Sequence, residues 1–155
     1  MREIKFRAWD KEYEKMTYFD DEDYEYEPPL VFRLDQVFKK DSNYDDYEDF
    51  EYNDVTDVVE VMQYTGLHDK NGKEIYEGDI VFIDAYTYEG PEFDGEYLVK
   101  YNELLGMWTL INIEKYNKEK EDFITFEDLD GWYKLDIKLL GNIYENKELL
   151  DETNR

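Results

Sequence analysis

Ser42 is the single serine of the chain and His68 the single histidine. A serine nucleophile needs a histidine base within hydrogen-bond reach and usually a tight elbow of small residues around it. Ser42 has no such elbow and stands in an acidic stretch, Asp41-Ser-Asn-Tyr-Asp-Asp. His68 precedes Asp69-Lys-Asn-Gly72, a turn sequence, and is expected to be a solvated turn residue. There is no cysteine, which removes disulfides, thiolate metal ligands and a thiol nucleophile. Asp69-Lys-Asn-Gly72 and Asp128-Leu-Asp-Gly131 begin like calcium loops, but the glycine falls at position four instead of six. Position twelve of the second is Leu139, where a bidentate glutamate belongs. Both are expected to be turns, with loose calcium or magnesium binding by the acidic surface left open. Carboxylates for glycoside hydrolysis abound, but 42 acidic residues nominate no particular pair. No phosphate-cradling glycine loop is present. These absences point to a non-enzymatic protein without cofactor or resident metal.

The acidic residues themselves form a pattern. In Asp21-Glu-Asp-Tyr-Glu-Tyr-Glu27, the residues Asp21, Asp23, Glu25 and Glu27 alternate with Glu22, Tyr24 and Tyr26. As a strand, this segment would carry four carboxylates on one face, about 6.8 Å apart. A nucleic-acid strand carries one charge per about 3.4 Å of axis. A second row, from Asp45, Asp46, Glu48, Asp49, Glu51 and Asp54, would close part of that gap. The bland alternative is a solvated, self-repelling loop.

The whole chain shares this bias. It has 155 residues, 42 acidic and 18 basic, and a formal charge of −24. The surplus is divided evenly between residues 1–60 and 61–155. Such a surface repels phosphates and anionic lipid and attracts basic proteins. Direct nucleic-acid binding is therefore not expected. The only lysine cluster, Lys115, Lys118 and Lys120, is interrupted by Glu114, Glu119 and Glu121. Sixteen Tyr, nine Phe and three Trp argue that most of the chain folds despite its charge. No apolar run approaches a membrane span, and the N-terminus is too polar for a secretory signal. The absence of cysteine fits a reducing cytosol.

The elements that must hold these residues read mainly as β. Arg2–Trp9 reads as a strand, since Ile4, Phe6 and Ala8 alternate with Lys5, Arg7 and Trp9, and Met16–Phe19 returns as a second strand. Leu30, Leu34, Val37 and Phe38 fit helical spacing behind Pro29, so Leu30–Lys40 is expected to be a short helix, with a strand as the alternative. Residues 20–54 read as an acidic, partly irregular insert. From Val55 the pattern is β, with Asp69-Lys-Asn-Gly72 and Glu77-Gly-Asp79 as reversals. Glu89-Gly-Pro91 and Phe93-Asp-Gly95 read as loops. Tyr97–Tyr101, Met107–Asn112 and Asp136–Tyr144 read as strands, and Glu145–Thr153 as a terminal helix or tail. Gly66, Gly72 and Gly78 recur every six residues where the chain must bend. The expected class is mainly β with minor α. An N-terminal hairpin and acidic insert, 1–54, precede a small barrel or roll, 55–155, with one compact unit as the alternative.

Three segments carry a resemblance. Arg2-Glu-Ile-Lys-Phe-Arg-Ala-Trp-Asp10, Met62–Val81 and Gly141-Asn-Ile-Tyr-Glu-Asn146 resemble the YopX family. The resemblance reaches from one end of the chain to the other, and the acidic insert departs from it. The resemblance implies a β-rich fold with a small SH3-like barrel in the second half, an origin in phages and prophages, and the bacterial cytoplasm as compartment. It carries over no catalytic residue.

Two functions follow as expectations. The first is an acidic interaction protein that mimics nucleic acid and occupies the basic groove of a host nucleic-acid-binding protein of defence or transcription. The second is a phage structural or assembly protein that forms a homo-oligomer through its β-rich aromatic surface, with Trp9, Trp108 and Trp132 as candidates if exposed.

Overall fold

The computed structural model describes residues 3–19, 30–33, 36–40, 52–87, 90–115, 123–126 and 134–150. These divide into two units, Ile4–Gln63 and Tyr64–Arg155, the latter taking in Met1–Glu3. The class is mainly β. The helical segments among the described residues are two short 3-10 turns, Ile113–Lys115 and Lys147–Leu150.

The first unit is built from β1 (Phe6–Asp10), β2 (Lys15–Tyr18), β3 (Leu30–Arg33), β4 (Gln36–Lys40), β5 (Tyr52–Asp54) and the start of β6 (Val59–His68). β1 sits between β2 and β6, antiparallel to both. A strand paired on both edges is buried on both faces here, since Arg7, Ala8, Trp9 and Asp10 all lie inside. Asp10 Oδ1 accepts the N–H groups of Glu12 and Tyr13 and so forms the β1–β2 turn. The core gathers Ala8, Val37 and Val59, with Phe19, Val55 and Val61 against it.

Leu30–Lys40 is not a helix. β3 and β4 form an antiparallel hairpin, Val31 opposite Phe38 and Phe32 opposite Val37. β4 then pairs with β5, Phe38 opposite Asp54. The helical spacing of Leu30, Leu34, Val37 and Phe38 passes over Val31 and Phe32, and β-branched Val31 and Val37 with aromatic Phe32 and Phe38 suit a pleated surface. Pairing on both edges of β4 settles the choice, because it satisfies backbone groups that a helix would have satisfied internally. β5 also shows that Tyr52–Asp54, read as part of the irregular insert, is a short strand.

The second unit holds a five-stranded antiparallel sheet that curls as a half-barrel. Its order is β11 (Phe123–Thr125), β10 (Met107–Asn112), β9 (Gly90–Asn102), β8 (Asp79–Thr87), β12 (Lys134–Asn142). β7 (Glu74–Tyr76) pairs with the second half of β6. The concave core contains Ile75, Val81, Ile83, Ala85, Tyr97, Val99 and Leu110. Apart from Ile75 on β7, these share one face of β8, β9 and β10, with Val81, Ile83 and Ala85, and Tyr97 and Val99, two apart along their strands. On the opposite face Ile80, Leu98, Ile111 and Ile113 gather under Ile143, Leu149 and Leu150. The terminal segment thus folds back as a 3-10 turn whose Leu149 and Leu150 pack on this face of the sheet.

Glu89-Gly-Pro91 and Phe93-Asp-Gly95 were expected to be loops. Gly90 to Gly95 instead belongs to β9. Of β9, β10 pairs with Tyr97–Asn102, so among the described residues the first part of β9 is an edge, a position that tolerates proline. A bulge opposite Ala85 and Tyr86 takes up the mismatch.

Candidate functional site

The Met62–Val81 segment is a set of side-chain-tied corners. At the β6–β7 turn, Asp69 Oδ1 accepts the N–H of Asn71 at 2.7 Å and of Lys73 at 2.9 Å. Its Oδ2 accepts Asn71 Nδ2 at 3.2 Å and, 70 residues away in sequence, the N–H of Leu139 at 3.3 Å. Lys70 N–H donates to Ile137 O beside it. The turn is thereby sewn onto β12. Burial pushes the Asp69 carboxyl up, but the backbone N–H groups of Lys73, Asn71 and Leu139 and the Asn71 amide outweigh it and hold it below the ordinary value. With both oxygens committed, this carboxylate is a staple. Among the described residues no group of three or more His, Asp or Glu side chains is placed to hold a metal ion.

Neighbouring groups do the same work. Asp79 is 1 % exposed, and its Oδ2 accepts the Tyr76 N–H at 2.8 Å, closing the β7–β8 turn. Thr65 Oγ1 donates to Ile75 O and accepts the Leu67 N–H, bracing a bulge at Gly66. Gly66, Gly72 and Gly78 take φ values of 89°, 82° and 78°, which glycine adopts without a Cβ penalty. His68 is exposed at the end of β6, and its ring Nδ1 lies 3.1 Å from the Tyr64 hydroxyl.

Gly141–Asn146 forms a second corner. Asn142 Oδ1 accepts the N–H groups of Tyr144 and Glu145, while its Nδ2 donates to Glu145 Oε2. Asn146 Oδ1 accepts the Asn142 N–H at 3.2 Å. A Cβ on residue 141 would collide with that same Asn146 side chain. The glycine is needed here for space, since the asparagine lies where a side chain would go.

Of the acidic residues picked out in the sequence, Asp21, Asp23, Glu25, Glu27, Asp45, Asp46, Glu48, Asp49 and Glu51 lie outside the described residues. Asp54 is exposed at the end of β5. Its Oδ1 accepts Thr56 N–H and the Thr56 hydroxyl at 2.6 Å, and Thr56 Oγ1 accepts the Val37 N–H. Trp9 is buried, Trp108 is half-buried against Tyr101, and Trp132 lies outside the described residues.

The five-stranded sheet brings together three carboxylates that the sequence keeps apart. Asp136 on β12 is directly opposite Asp84 on β8, and Asp84 is directly opposite Asp94 on β9. Opposite residues share a face, and neighbouring strands are about 4.8 Å apart. Three aspartates therefore form a rung across three strands, on the face away from Ile83 and Ala85. Asp94 is exposed, and the other two are half-buried. Glu96, two residues along from Asp94, extends the same face. Only their alternation with buried neighbours, as in Ile83-Asp84-Ala85, was visible in the sequence. The register that aligns them was not.

A cleft of about 360 Å³ opens beside the β9–β10 hairpin. Glu77, Lys100, Glu103, Leu104, Thr109 and Phe123 are among the residues that line it. Burial raises the Glu77 carboxyl above its ordinary value, against the Tyr101 backbone hydrogen bond and the Lys100 charge, which lower it; the Glu103 charge adds to the rise. No helix among the described residues is long and apolar enough to cross a membrane.

Comparison with known proteins bears on what this architecture is. No curated protein matches the chain. Among solved structures, the crystal structure of protein EF1440 from Enterococcus faecalis is similar, with a TM-score of 0.52 and 26 % identity. The match covers 97 % of this chain and 100 % of that one. The YopX protein family model matches residues 5–151, a span that includes both tied corners and the whole five-stranded sheet. The chain belongs to the YopX family.

Proposed function

We propose that this is a phage-encoded, non-enzymatic interaction protein whose acidic surface occupies the basic nucleic-acid-binding groove of a host protein. The observation that carries this reading is the in-register rung Asp136–Asp84–Asp94, presented by a chain of net charge −24. Like charges placed directly opposite in a sheet destabilise it. Three carboxylates side by side on one face offer a cationic partner several acceptors at once, whatever contacts each already makes within the sheet. The spacing across strands, about 4.8 Å, is closer to the phosphate interval of about 3.4 Å than the spacing along a strand is. A rigid sheet also presents charge without the ordering cost that a loop would bear on binding. Counter-ion release and charge-assisted hydrogen bonds to Arg and Lys would supply the affinity.

The test is capture of bacterial proteins on the immobilised chain, eluted by a salt gradient. Basic nucleic-acid-binding proteins should be retained at low salt, displaced by duplex DNA and lost steeply as salt rises. The triple replacement of Asp84, Asp94 and Asp136 by Asn should weaken retention at least about tenfold, or about 1.4 kcal/mol. Retention that ignores both duplex and the triple replacement rules the reading out.

A further inference from the structure

The cleft beside the β9–β10 hairpin has a feature that sheet architecture does not require. Leu104 at the hairpin tip is 97 % exposed, and Leu105 and Phe123 are 51 % and 45 % exposed. The tip is nevertheless fixed. Asn102 Oδ1 accepts the N–H groups of Leu104 and Leu105, and Gly106 N–H donates to Asn102 O at 2.8 Å. Gly106, at φ 67°, completes the turn. Leu104 is thus held out from the surface on a tied loop, so little conformational freedom remains to be lost when something covers it.

The cleft's charge indicates what that would be. Glu77 and Glu103 line it against one cation, Lys100. Glu77 is partly withdrawn from water beside the Tyr101 backbone. Its volume lies within the range of ligand-sized clefts, about 300–1,000 Å³. A second copy of the chain would bring another −24 to this wall, which argues against self-association. An arginine fits on both counts. Its guanidinium pairs with a carboxylate, and its stem covers apolar surface.

We infer that this cleft is a docking site for a segment of a partner protein in which an arginine is flanked by apolar residues. The guanidinium is received by Glu77 and Glu103, and the apolar flanks rest on Leu104 and Phe123. The inference rests on the reading of a basic partner and specifies a point of entry separate in residues from the aspartate rung.

The probe is the peptide Ac-Leu-Arg-Leu-NH2, titrated into the full-length 15N-labelled chain at low salt, with Ac-Leu-Glu-Leu-NH2 as its counterpart. Shift changes should centre on the amides of Glu77, Lys100–Gly106, Thr109 and Phe123. The arginine peptide should bind at least about tenfold more tightly than the glutamate peptide. Glu77→Gln, which can still accept the Tyr101 bond, should weaken it about tenfold. Leu104→Ser, fully at the surface, should weaken both peptides. The triple aspartate replacement should leave the peptide response intact. Equal binding of the two peptides, shifts spread across the sheet, or shifts that appear on concentrating the chain alone would overturn the inference. Basic proteins captured as above without a cleft response would leave the groove-occupying reading standing and remove this one. A cleft response without such capture would remove the broader reading instead.

Discussion

Asp69, Gly72 and Gly141 show three different reasons for a fixed residue. Asp69 is fixed by its acceptors. Asp69→Ala would orphan N–H groups of Asn71, Lys73 and Leu139, and should destabilise the fold by about 2–4 kcal/mol, measured by urea unfolding. The pH dependence has a definite sign. The folded carboxyl titrates below its unfolded value, so its contribution is present above the unfolded pKa and lost as pH falls through the lower folded one. The gap between native and Asp69→Ala stabilities should therefore narrow on acidification, below the ordinary aspartate range. Gly72 is fixed by its backbone. A Cβ there meets nothing within 4 Å, but φ is 82°. Gly141 is the reverse, fixed by the Asn146 side chain. Gly72→Asn should cost under about 1 kcal/mol, because asparagine tolerates the left-handed region. Gly141→Ala should cost about 1–3 kcal/mol by overpacking. If Gly141→Ala, Asn146→Ala restores most of the loss, the collision is confirmed as the cause by thermal unfolding of the double variant.

At the scale of elements, alternation predicted strands well and register not at all. The first strand, read over Arg2–Trp9 and found at Phe6–Asp10, and Met107–Asn112 and the turns at Asp69–Gly72 and Glu77–Asp79 are legible because local pattern and turn chemistry determine them. Leu30–Lys40 could not, because its apolar spacing fits both periods and the deciding partner, Tyr52–Asp54, lay inside an acidic stretch with no apparent strand pattern. Gly90–Gly95 was misread for a related reason. Glycine and proline mark loops only when no neighbour strand claims them, and β8 does. The candidate site was hidden in the same way. Asp84 and Asp94 are ten residues apart and Asp136 is far from both, so only pairing brings them together. Their alignment has a consequence for stability. Asp84 is opposed by a like charge on each side, Asp136 on one. Where this repulsion outweighs the contacts each carboxylate makes, Asp84→Asn should stabilise the fold by about 0.5–1 kcal/mol and Asp136→Asn by about half of that, read as rising melting temperature at low salt. A loss of stability in both variants would mean that the contacts of these carboxylates outweigh their mutual repulsion, and that the rung is a stabilising element of the sheet.

For the whole molecule the governing quantity is −24 on 155 residues. Compaction brings those charges closer than they are in the unfolded chain, so folding works against its own electrostatic repulsion. Salt relieves that repulsion. The screening length is about 30 Å at 0.01 M and about 8 Å at 0.15 M, so surface charges several strands apart cease to interact over this range. Melting temperature should therefore rise between those concentrations, by roughly 2–4 °C for each kcal/mol of repulsion removed. Binding to a basic partner should move the other way, since the same screening weakens attraction and lowers the gain from counter-ion release. The two measurements share one physical cause and must have opposite signs. A melting temperature that rises while affinity stays level would place the binding energy in the apolar contacts of Leu104 and Phe123, not in the carboxylates. Affinity that falls while the melting temperature stays level would show that the anions are too well spaced to strain the fold, and that the rung costs nothing to keep. Only the joint result, a tighter fold and a weaker complex in the same salt series, fits a protein that carries uncompensated charge for a partner to neutralise.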